Sequence, residues 1–271
     1  MKTKAYVRSS MAVAWLTFAF LYGPLAVVFL LSFVRSGSVG LSGGLTTYWY
    51  SAAVSSASVR SAFVTSVSLA STSAIIATVL GTLLAYGLKT LTSRSRSHAS
   101  YLVYLPIIMP SIIFGIADMM FFNIINRYSG LLKASLATMI IAHVTFELPY
   151  IALLVYAKLR AMDPDLLNAV HDLYGNTWKA IRHLFIPILM PTLVGGFLLV
   201  FTLSLDDLVI SFFTAGPASV TVPIYLYGAI AKKGVTPEIN AIASILVLAS
   251  IVISLAGTLI RREGSSTQST T

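Results

Sequence analysis

DPDLLNAVHDLYGNTWKAIRHLFIPILMP, from Asp163 to Pro191, is a polar, helix-compatible stretch of nearly thirty residues set between long apolar segments. A membrane protein that only has to reverse direction uses a few residues. A water-facing insertion of this size predicts a docking surface, with two short helices over Pro164 to Leu173 and Thr177 to Phe185.

The composition around it is that of a membrane protein. Hydrophobic residues make up 57% of the 271 residues and charged residues 10%, with mean hydropathy +0.87, against about 25% charged in a soluble domain. A spanning helix needs ~20 apolar residues. Six stretches qualify: about 11 to 33, 61 to 88, 101 to 125, 134 to 157, 188 to 213 and 238 to 260. The run from Met11 to Val34 exceeds the ~7 to 15 residues of a signal-peptide core and has no clear small-x-small cleavage site. It is therefore expected to be an uncleaved first span.

The basic residues set the orientation. With both termini in the cytoplasm, Lys2, Lys4, Arg8, Lys89, Arg94, Arg96, Lys158, Arg160, Lys179, Arg182, Arg261 and Arg262 lie inside. Arg35, Arg60, Arg127, Lys133, Lys232 and Lys233 lie outside, a distribution that favours this topology. The net charge of +9 is thereby a product of membrane insertion, and no nucleic-acid partner is expected. Residues 1–263 read as one transmembrane domain, with the polar loop at about 158–187. The apolar-free tail 264–271 is expected to be disordered. Between Arg35 and Ser58, the aromatic cluster TTYWY (Thr46 to Tyr50) predicts a short helix at the outer surface, where such rings anchor.

Prolines at 106, 110, 149, 187 and 191 fall in or beside the spans. Each removes a backbone hydrogen bond, which fits kinked helices around a pathway. Acidic residues inside spans carry more weight, because an ionisable group at the bilayer centre costs at least ~2.5 kcal/mol. Asp118 lies in the third span, Glu147 in the fourth, and Asp206 with Asp207 in the fifth. With the fifth span centred near Thr202, Asp206 sits about 6 Å outward of the midplane. Such a negative region suits a cationic solute. The same carboxylates could instead pair with a partner subunit or bond to Thr202, His143 or backbone. On one continuous helix Asp206 and Asp207 would point about 100° apart, one lining the pathway and the other holding the helix. His143 and Glu147 have i,i+4 spacing and read as a packed, hydrogen-bonded pair, since two ligands do not make a metal site.

The chain carries no G-x-x-x-x-G-K-[ST] phosphate loop, H-E-x-x-H or G-x-S-x-G, so it is not read as an enzyme, and no cofactor or metal is expected in it. The absence of cysteine removes thiolate chemistry. A stand-alone secondary transporter with the acids as ion sites, or a non-transporting scaffold, are the other classes. No inverted repeat supports the former, and a scaffold has no need of paired acids in a span.

The Asp163–Pro191 stretch resembles the cytoplasmic coupling (EAA) loop of permease subunits of ABC importers. The runs FTLSLDDLVISFFTAGP (Phe201 to Pro217), LTTYWYSAA near residue 50, HVTFELPYI (His143 to Ile151) and GVTPEINA (Gly234 to Ala241) look like the C-type permease subunit of spermidine/putrescine importers, in register over nearly the full chain. The resemblance implies the type I importer permease fold with six transmembrane helices. It also implies a second permease subunit, a dimer of ATP-binding subunits that hold the ATP, and an extracytoplasmic solute-binding protein, all in or at the cell (inner) membrane. Relatives in the wider family move other amines, phosphonates, iron or sugars. By the same resemblance, Asn168, Ala169, Asp172, Gly175 and Pro187 belong to the loop that couples to the ATPase. The chain departs from the family pattern there: Asn168 stands where the loop opens with glutamate, and Tyr174 where glycine is usual, with Gly175 one position late.

Overall fold

The apolar runs fold as helices. A computed structural model of the chain describes residues 2–35, 44–163, 165–166 and 177–266. Its elements are α1 (Lys2–Leu31), α2 (Tyr48–Ser55), α3 (Ala57–Thr90), α4 (Ser93–Ile108), α5 (Ser111–Ser129), α6 (Leu136–Arg160), α7 (Thr177–Ala180), α8 (Ile186–Asp206), α9 (Val209–Thr214), α10 (Val222–Lys233) and α11 (Pro237–Ser266). The chain divides into two compact units, Met1–Arg60 with Tyr225–Ala249, and Ser61–Ile224 with Ser250–Thr271.

Among the described residues, four helical segments are long and apolar enough to cross a membrane alone: Ser10–Leu31, Ala57–Thr90, Leu136–Arg160 and Ile181–Asp206. Two of the expected spans differ from continuous helices. The third is broken: α4 and α5 meet at a bend of 104°. Pro110, with φ −56° and ψ 133°, has no N–H to extend α4, and it holds Met109 in the extended region at ψ 136°. Pro106 remains inside α4. The fifth does not run to residue 213. α8 stops at Asp206, Asp207 is extended (φ −67°, ψ 123°), and the chain turns into the short α9.

In the first unit the aromatic cluster forms the expected short helix, α2, tied to the end of α1. Trp49 Nε1 donates to the Val34 carbonyl at 2.8 Å. The Tyr50 and Ser32 hydroxyls lie 2.7 Å apart, and the Tyr50 and Phe33 rings 5.2 Å apart. The half-buried rings therefore serve the chain's own packing as well as any interface.

In the second unit small residues let three helices approach closely. A methyl group at Gly81 of α3 would lie 2.7 Å from Ile151 Cβ, and one at Gly196 of α8 would lie 2.9 Å from Ile151 Cδ1. Ile151 of α6 is thus the buried knob between α3 and α8. Leu88, Val103 and Ala152 join α3, α4 and α6. Phe122, Ala142 and Ile210 join α5, α6 and α9. Arg96 closes the end of α3, its guanidinium donating to the carbonyls of Leu88 (3.0 Å), Lys89 (3.3 Å) and Leu91 (2.7 Å).

Of the first expected helix of the polar loop only Asp165 and Leu166 are described, both helical; its remainder, with Asn168, Ala169 and Asp172, and Gly175 after it, lies outside the described residues. Its second helix is present as α7 followed by a π-helical turn, Ile181–Phe185, leading directly into α8. Pro187 has no N–H for the carbonyl of His183 four residues before it, and the wider turn lies where that bond is missing. Helical structure is therefore continuous from Thr177 to Asp206, with no loop between the polar segment and the fifth span.

Candidate functional site

The break between α8 and α9 is surrounded by polar side chains that the apolar helices bring together. His143 of α6 is 2% exposed. Its Nδ1 lies 2.7 Å from the Ser204 hydroxyl, in the last turn of α8. Its Nε2 lies 3.0 Å from the Ser211 hydroxyl, in α9. Two carboxylates flank the same ring: Glu147 Oε1 at 3.7 Å from Nδ1 and Asp207 Oδ2 at 3.6 Å from Nε2. Ser73 of α3 completes the set, donating to Glu147 Oε1 at 3.0 Å and lying 3.2 Å from the Ser204 hydroxyl. Four segments, α3, α6, α8 and α9, thus share one buried network.

His143 and Glu147 are neighbours, as their spacing requires, but they are not directly hydrogen-bonded. Each ring nitrogen takes a serine hydroxyl instead, because a hydroxyl can donate or accept and so satisfies either tautomer. Among the described residues no group of three or more His, Cys, Asp or Glu side chains could hold a metal ion.

The four acids of the spans occupy different environments. Glu147 is 1% exposed, and its Oε2 has no hydrogen-bond partner. Asp118 is half-buried on α5, with Oδ2 equally unpartnered. Asp207 accepts the Ser211 N–H on Oδ2 at 2.9 Å, which caps the start of α9. Asp206 is exposed at the end of α8. The helical geometry expected for the last two does not hold, since the chain leaves the helix between them. They differ in direction through the backbone break, not through a 100° step. Thr202 is occupied by its own helix, donating to the Leu198 carbonyl at 2.8 Å, so it bonds to neither acid. The Phe114 ring packs edge-on against Phe146 at 5.5 Å, whereas Phe121 is exposed.

Ser73, Ser204 and Ser211 were not singled out from sequence. Serine is ordinary in apolar helices, and the signal that finds these three is spatial: Ser204 and Ser211 converge on the buried His143, and Ser73 joins them through Glu147 and Ser204.

Residues 77–262 match the family model described as "Binding-protein-dependent transport system inner membrane component". The chain belongs to this family. The permease is 33% identical over 247 residues, 91% of each chain, to the spermidine/putrescine transport system permease protein PotC of Escherichia coli K12. It is 33% identical over 233 residues, 85% of this chain and 83% of the relative, to the putrescine transport system permease protein PotI of the same strain. A solved bacterial ABC transporter involved in import of the acidic polysaccharide alginate superposes with TM-score 0.73 at 16% identity, covering 96% of both chains. The MetNI methionine ABC transporter gives TM-score 0.61 at 16% identity, covering 74% of this chain and 93% of that one. These structures share the fold. The permease is an ABC importer subunit and a multi-pass protein of the inner membrane, homologous to the polyamine permeases.

Proposed function

We propose that this permease imports polyamines of the spermidine/putrescine class, moving them inward by alternating access driven by a separate ATPase. The observation that carries this reading is the near full-length similarity to two permeases of polyamine systems. The carboxylates agree with it: a flexible polycation is recognised by separated negative charges and aromatic faces, and Asp206 is exposed at the break of the fifth span. In this reading Asp206 touches the solute, Asp118 and Glu147 contribute negative charge, and Asp207 shapes the break.

The functional assembly comprises a second permease subunit, a pair of ATP-binding subunits and an extracytoplasmic solute-binding protein. The loop containing Asn168, Ala169, Asp172 and Gly175 docks on the ATPase, with Pro187 at its junction with the span. Closure of the nucleotide-bound ATPase dimer displaces the segment beginning at Thr177. Because helix is continuous from there to Asp206, the displacement reaches the break without passing through a flexible hinge. This gives the two-state element that alternating access requires.

The test is reconstitution of the full complex in proteoliposomes with its own binding protein and a panel of spermidine, putrescine, a phosphonate, a sugar and ferric iron. Polyamine-stimulated ATP hydrolysis with matching uptake is expected. Stimulation by one of the other solutes alone would replace the polyamine assignment. Proline in place of Ala169 should abolish stimulation while leaving the membrane subunits assembled, and full stimulation in that variant would remove the docking role of the loop.

A further inference from the structure

The fifth span ends at Asp206 without a glycine or proline to end it: the sequence there is LSLDDLVISFF. Asp206 and Leu208 are compatible with helix, and a continuous helix would satisfy every backbone group locally, as the bilayer demands. Some interaction must therefore favour the broken form. The ring of His143 makes the bonds that a continuous helix would have to give up. Nδ1 is joined to Ser204, two residues before Asp206, and Nε2 to Ser211, four residues after Asp207. The two serines lie seven residues apart. On an unbroken helix that spacing puts them about 10 Å apart along the axis, too far for the two nitrogens of one imidazole to reach both hydroxyls. The ring can hold both only if the chain between them is folded back.

We propose that His143 is the positioning residue of this permease: it staples the two sides of the break and so sets where Asp206 is presented. The groups facing the ring come from every neighbouring element. Glu147 is on its own helix, Asp118 on α5 is near enough to interact with the ring through its charge, Ser73 on α3 reaches it through Ser204, and Asp207 and Ser211 stand on the far side of the break. The second carboxylate reinforces the staple, because Asp207 Oδ2 holds the Ser211 N–H while Nε2 takes the Ser211 hydroxyl. The consequence for transport rests on the solute-contacting role given to Asp206 above; the staple itself does not.

The chain has no cysteine, so introduced thiols report without background. Leu199 on α8 and Phe212 on α9 are exposed. Spin labels at Leu199→Cys and Phe212→Cys in the reconstituted complex measure the distance across the break. His143→Leu should shift or broaden that distance distribution and raise the half-saturating solute concentration about tenfold or more. His143→Gln, whose amide nitrogen falls near the Nε2 position, should keep the Ser211 bond and a narrower distribution. His143→Asn, which imitates Nδ1, should keep only the Ser204 bond. An unchanged distance in His143→Leu overturns the proposal. If that variant does not assemble, Ser211→Ala removes one arm of the staple, and an unchanged distance there overturns it equally. A shifted distance with unchanged uptake leaves the staple in place and removes Asp206 from the solute path.

Discussion

Ser73 and Glu147, 74 residues apart in the chain, share a hydrogen bond of 3.0 Å from the serine hydroxyl to Oε1 inside the helix bundle. The bond ties α3 to α6 between two side chains that are both buried in the bundle, and it leaves the second carboxylate oxygen without a partner. Partly satisfied buried acids are costly to keep and costly to truncate.

Replacing Glu147 separates its charge from its shape. Glu147→Gln retains an oxygen for Ser73 and removes the ionisable group, so thermal stability of the purified complex should stay within about 1 kcal/mol or rise. Glu147→Ala deprives Ser73 of its acceptor and opens a cavity, at a cost of about 2–4 kcal/mol. Equal damage from both would show that the carboxylate charge itself stabilises the bundle.

Backbone approach makes one glycine irreplaceable and another not. A Cβ at Gly216 would fall on the carbonyl group of Ala134, whereas a Cβ at Gly228, within α10, would meet nothing within 4 Å. Gly216→Ala should therefore cost about 2–3 kcal/mol, because two backbone segments must separate. Gly228→Ala should be neutral or stabilise by up to about 1 kcal/mol, since alanine favours helix. Thermal melts of the two single variants in the same detergent decide this, and a tolerated Gly216→Ala would show that the loop before α6 can move.

Arg96 bonds three carbonyls at the end of α3 with one planar guanidinium. A lysine ammonium at the end of a flexible stem does not reproduce that fork. Arg96→Lys should lose part of the cap and Arg96→Ala about 1–2 kcal/mol. Faster amide exchange confined to residues 85–91 is the expected readout, and unchanged exchange there in Arg96→Ala would mean that water replaces the side chain.

Hydropathy alone revealed α1, α3 and α6 as spans, because each holds a long, predominantly apolar run with basic residues at or near its ends. The aromatic cluster Thr46 to Tyr50 was equally legible. The breaks were not. Pro106 and Pro110 both signal a kink, yet Pro106 stays inside α4 while Pro110 stands at the break between α4 and α5. At Asp207 no local signal exists at all. The break there is held by a histidine more than sixty residues earlier, through serines that look like filler in an apolar sequence. Local patterns predict elements whose hydrogen bonds are local, and this site is made of bonds that are not.

Asp206 and Asp207 provide the decisive experiment on the solute path, because adjacent residues with the same side chain occupy different surroundings. Asp207 is engaged with the Ser211 N–H and lies 3.6 Å from His143, while Asp206 is exposed where α8 ends. Neutralising Asp206 to Asn preserves size and hydrogen-bonding capacity, so assembly and basal ATP hydrolysis should persist. If the solute is a polycation, uptake should fall by about tenfold, the loss of one desolvated charge contact. Asp207→Ala removes the cap of α9 and should cost about 1 kcal/mol of stability, seen first as reduced yield of the assembled complex. Asp207→Asn, which can still accept the N–H, should fall between wild type and alanine in yield. Normal spermidine and putrescine uptake by Asp206→Asn would remove this acid from the pathway and direct the search for the cation's contact to Asp118, a half-buried carboxylate with an unpartnered oxygen.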